Sequence, residues 1–122
     1  MRNLIKTFIL MLMLSFSHAA IADDFDDGDV AFQKGEFATA LRLWKPLAEQ
    51  GNSSAQYNLG LMYGNAQDYV KAHMWWNIAA IDGNSDALKN YDKAAKLMTP
   101  AQIAEAQEAA TKCIKQNFKK CD

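Results

Sequence analysis

An all-α fold of antiparallel helix pairs is the architecture this sequence predicts, and three observations carry it. Apolar residues recur at helical spacing on two consecutive segments. Ala55, Leu59, Met62 and Tyr63 fall at i, i+4, i+7 and i+8, and Ala72, Trp75, Trp76, Ala79 and Ala80 at i, i+3, i+4, i+7 and i+8. Each set forms one stripe along a helix. The stripes are separated only by Gly64 to Asp68, a connection suited to an antiparallel pair. The chain also repeats itself at an offset of 32: Ala40, Trp44, Ala48, Gly51, Asn52, Ser53, Ala55 and Asn58 fall on Ala72, Trp76, Ala80, Gly83, Asn84, Ser85, Ala87 and Asn90. Phe37 and Tyr69 correspond as aromatics, and Glu36 and Asp68 as acids. Small residues, an aromatic and a turn are the positions a duplicated helix pair must keep. No stretch alternates apolar and polar residues long enough to suggest a strand.

The elements follow in order. Residues 1–22 read as a secretory signal peptide: Arg2 and Lys6 give a positive start, Phe8 to Phe16 an apolar run, and Ala20-Ile21-Ala22 small residues for cleavage before Asp23. The run is about half the roughly 20 apolar residues a membrane span needs. Residues 23–122 then form the domain, with repeats at about 28–51 and 53–83 and C-terminal helices in 85–122. Asp23 to Asp27 is expected to be a mobile leader, and Gly28 to Lys34 a short helix with Phe32 inward. Glu36 to Gln50 makes a second helix with Phe37, Ala40, Leu41, Trp44, Leu47 and Ala48 inward, kinked near Arg42–Lys45 because Pro46 removes a hydrogen bond. Gly51 ends it in the left-handed conformation. Ser53 and Gln56 have capping-box spacing for a third helix. In its middle Gly60 costs roughly 1 kcal/mol against alanine, which suggests close approach of a partner indole. A fourth helix covers Asp68 to Asp82 and a fifth Ser85 to Leu97, with Ala87, Tyr91, Ala94 and Met98 on one side. Thr99-Pro100-Ala101-Gln102 carries a cap, a first-turn proline and a capping-box glutamine. The sixth helix runs from there to about Asn117, with Ile103, Ala106, Ala110, Cys113 and Ile114 inward.

Charge and cysteine content narrow the function. Loss of Arg2 and Lys6 with the leader takes the formal net charge from −1 to −3, against the basic footprint of a nucleic-acid binder. Asp23, Asp24, Asp26, Asp27 and Asp29 crowd one end, and Lys112, Lys115, Lys119 and Lys120 the other; both read as solvated. In an exported chain the two cysteines, Cys113 and Cys121, read as a disulfide. Eight residues of helix span about 12 Å, and bridged Cα atoms lie within roughly 7 Å. The bond therefore requires the last helix to end before Cys121 and the tail to fold back. Metal binding is the weaker alternative, since His73 is the one histidine beyond the leader and no usual zinc set assembles.

The segment Ala55-Gln-Tyr-Asn-Leu-Gly-Leu-Met-Tyr63, then Asp68-Tyr-Val-Lys-Ala72, Trp75-Trp-Asn-Ile-Ala-Ala80 and Gly83, resembles the Sel-1-like repeat, a relative of the tetratricopeptide repeat. Leu43-Trp44-Lys-Pro-Leu-Ala-Glu-Gln-Gly51 looks like the end of an earlier repeat, and Met98 to Cys121 resembles the terminal helix of small exported bacterial members. The resemblance implies a short right-handed α-α superhelix with a C-terminal capping helix, and an adaptor that binds a protein or peptide on its curved surface in the periplasm or outside the cell. Its turn of Gly64 to Gln67 is shorter than the glycine-containing loop common in the family, which bears on helix crossing and groove shape. Some cysteine-rich secreted members are linked to β-lactams, but their cysteine pairs lie inside the repeats, where this chain has none.

Trp44 and at least one of Trp75 and Trp76 read as core. The other tryptophan of the adjacent pair is expected to be partly exposed, because neighbours on a helix diverge by about 100°. His73 has no recognisable nucleophile beside it and reads as a solvated helix histidine. Glu105 and Glu108, with Lys112 beyond, read as a salt-laced outer face. Scattered single glycines make no phosphate cradle, and neither cofactor nor metal is indicated. Asn58 and Asn90 recur on the first helices of their pairs, which line the inner curve in the family. With Tyr57 and Leu61 they form the candidate peptide groove, an amide being able both to donate to and accept from a backbone; the alternative is that both face water. A non-catalytic binding module is thus the leading expectation. A hydrolase of the β-lactam or cell-wall type and a self-assembling subunit are the alternatives. The last follows because two short repeats supply little core where arrays want about three.

Overall fold

The computed structural model describes residues 23–121; the expected leader, residues 1–22, lies outside them. Six helices and no strand occur among the described residues: α1 (23–33), α2 (Phe37–Glu49), α3 (Ser53–Asn65), α4 (Tyr69–Ile81), α5 (Ser85–Ala95) and α6 (Pro100–Lys115). α2 packs on α3, α3 on α4 and α4 on α5, as successive antiparallel helices joined by short turns should. α6 lies against α4.

The repeat register is visible in three dimensions and reaches further back than residue 36. The Trp44 indole Nε1 donates to the Phe25 carbonyl at 3.2 Å, and 32 residues on the Trp76 Nε1 donates to the Tyr57 carbonyl at 3.2 Å. A Cβ on Gly28 would overlap the Trp44 indole, and one on Gly60 the Trp76 indole. Each glycine is therefore a seat for the tryptophan of the next helix. Asn52 and Asn84 cap α3 and α5 identically, accepting from the Ala55 and Ala87 amides. That capping displaces the expected Ser53–Gln56 box, because Gln56 is buried and donates to the Ala48 carbonyl instead, at 3.1 Å.

Four further expectations need correction, the first being that Ile114 of α6 is 37% exposed rather than inward. The acidic start is helical from residue 23, since Phe25 gains a partner in the Trp44 ring, 6.5 Å away between centroids. Phe37 is 45% exposed rather than inward. Trp75 and Trp76 are both buried, because α4 has neighbours on all sides and each indole finds its own cluster. Trp75 joins Trp44, Leu59 and Ile78, and Trp76 joins Ala72, Ala79, Ala87 and Ala94. A helix apolar all round is a buried helix. α2 is one helix through Pro46. The Thr99–Gln102 capping box forms at the start of α6, with Pro100 in its first turn.

After α6 the chain turns back through Asn117 and Phe118, both with positive φ. Cys121 thereby reaches Cys113, with Cα atoms 5.0 Å apart in a disulfide. Closing a loop of this size restricts the unfolded chain by about 2.5 kcal/mol. The bond points to an oxidising compartment. Among the described residues no helix is long and apolar enough to cross a membrane.

Candidate functional site

The groove that brings together two of the four predicted site residues, Leu61 and Asn90, lies between the C-terminal halves of α3 and α5, about 230 Å³ in volume. Leu61, Gly64 and Asn65 of α3 form one wall, and Asn90 and Ala94 of α5 with Leu97 of the turn after it the other; Tyr69 and Trp76 of α4 close its floor. α3 presents Leu61 here because its other stripe, Ala55 and Leu59, is buried in the core. Asn90 donates to the Tyr57 hydroxyl at 3.5 Å, which leaves its amide oxygen available. Exposed Lys93 stands at the mouth and forms no ion pair with the described residues.

Leu61 and Asn90 thus share one groove, with Tyr57 joined to it through the Asn90 bond. Asn58 is placed elsewhere: it is 8% exposed and donates to the Asp29 carboxylate on α1 at 3.2 Å. Neither asparagine simply faces water. Burial, then the nearby Asp26 charge, raises the Asp29 pKa, and the Asn58 hydrogen bond partly opposes them. Sequence reasoning missed Gly64, Tyr69, Trp76 and Lys93 as wall residues. The available signal was that offset 32 puts a glycine, Gly64, where the first repeat has Phe32.

A second, larger groove of about 430 Å³ runs beside Phe37, Leu41 and Met62 and is almost wholly apolar. Among the described residues no group of three or more His, Cys, Asp or Glu is placed to hold a metal.

His73 departs most from its expected setting. It is fully buried, its ring 4.0 Å from that of Tyr91 between centroids, and neither ring nitrogen has a hydrogen-bond partner among the described residues. Burial lowers its pKa from 6.5, so the folded state holds it neutral. Below about pH 6.5 the unfolded chain takes up a proton that the native state refuses. Stability should then fall by up to about 1.4 kcal/mol per pH unit until the lowered native pKa is reached. The expected result is that His73→Leu flattens the loss of urea stability between pH 7.5 and 5. An unchanged slope in this variant would assign the acid sensitivity elsewhere.

No family model matches the chain, and no curated protein or solved structure matches it significantly.

Proposed function

We propose that this chain is a non-catalytic protein- or peptide-binding repeat module of the Sel-1-like kind, exported to the bacterial envelope or beyond. The observation that carries this reading is the α3–α5 groove. It is an open cleft with an apolar floor, an amide with spare acceptor capacity at Asn90 and a cation at Lys93. Apolar ground with a few placed polar groups is how a recognition site fixes a ligand's orientation. The disulfide supports export, as does the leader read from residues 1–22.

The test is affinity capture from an envelope fraction, with Leu61→Glu as control. Leu61 lines the groove and is only partly buried, so the added carboxylate alters the wall with little effect on helix content by circular dichroism. A protein captured by the unaltered chain should be lost at least tenfold with Leu61→Glu, the ratio that 1.4 kcal/mol represents. Equal capture by both chains would remove the groove from the binding surface.

A further inference from the structure

The repeat register says what the groove is shaped to hold. In the first repeat Phe32 sits between two aromatic side chains, its ring centroid 5.6 Å from that of Trp44 and 5.4 Å from that of Phe37. At offset 32 these three positions are Gly64, Trp76 and Tyr69. All three line the groove, and a Cβ at Gly64 would lie 3.1 Å from Trp76 Cη2. The flanking aromatics are kept while the ring between them is gone. The polar wall differs in the same register. Asn58 is satisfied by Asp29, whereas the residue corresponding to Asp29 is Leu61, which offers Asn90 no side-chain acceptor.

We infer that the groove is a socket for an aromatic side chain of a partner peptide, seated between Trp76 and Tyr69 where the first repeat uses its own Phe32, with a neighbouring peptide carboxylate drawn to Lys93. This rests on the peptide-binding reading above. The volume of about 230 Å³ suffices for a ring, since an engineered apolar cavity of about 150 Å³ admits benzene. Ring pairs in tilted contact gain over simple burial, and Lys93 supplies the charge complementarity that sets orientation.

A random heptapeptide phage library panned on the full folded chain tests the socket. Enriched peptides should share a Phe, Tyr or Trp with an Asp or Glu within two residues. A synthetic peptide of that sequence should lose at least tenfold in affinity on ring-to-alanine replacement, and a few-fold against Lys93→Glu. It should shift the Trp76 indole N–H resonance of the unaltered protein, a readout that needs no variant. Gly64→Phe, which restores the first-repeat ring, should weaken binding at least tenfold. Enriched peptides without an aromatic, or binding that leaves the Trp76 resonance unmoved, would overturn the socket and leave the binding module standing. Self-association that Gly64→Phe dissolves would give the socket to a second copy and overturn the peptide assignment. A library yielding no binder would overturn both readings.

Discussion

Gly60→Ala should destabilise the protein by about 2–3 kcal/mol, although the same change in an ordinary helix interior stabilises by about 1 kcal/mol. The reversal comes from Trp76. A Cβ at position 60 would overlap Nε1, Cδ1 and Cε2 of that indole, which is 93% buried and packed in the cluster of Ala72, Ala79, Ala87 and Ala94. Overpacking of this kind costs about 1–3 kcal/mol. Moving the indole also strips the hydrogen bond to the Tyr57 carbonyl, leaving a buried donor unsatisfied at about 1–3 kcal/mol. Part of that sum is recovered by helix propensity and relaxation. Gly28→Ala should behave alike, since Trp44 meets it in the same way. Urea denaturation of both variants is the measurement. A gain in stability at either position would mean that the glycines are not seats for the rings.

Trp44→Ala should cost more, about 3–5 kcal/mol. Trp44 is among the largest fully buried side chains, and it meets both Phe25 and Phe32. Its removal opens a cavity at the junction of α1 and α2 and leaves α1 with the buried Ala31 and the Asp29–Asn58 hydrogen bond. The expected signature is loss of hydrogen-exchange protection across residues 23–33 before the rest of the molecule opens. A variant within about 1 kcal/mol of the parent would show that the first repeat is not anchored through this ring.

How much of this was legible in the chain depends on the kind of residue. The helices, the α6 capping box, the disulfide and the offset of 32 could be read directly, because each depends on local spacing or on repetition. The fate of His73 could not be read from its type, since histidine is at home in solvent. Its register held the answer: offset 32 places it on Leu41, one of the inward positions of the first repeat. A helix with a single core side can turn only one of Trp75 and Trp76 squarely inward. The packing of α6 on the far side of α4 changes that, and tertiary placement of this sort is not encoded in the helix's own pattern. Asn58 and Asn90 looked equivalent in sequence, and the side chains opposite them, Asp29 and Leu61, make them different.

α6 touches both clusters, giving Ala106 to one and Ala110 and Cys113 to the other. A clipped tail would consequently uncover both halves at once. Repeat chains are ordinarily modular and can be shortened one unit at a time. Here the last segment laces the units together, so the domain should melt in one step and have no viable shorter form.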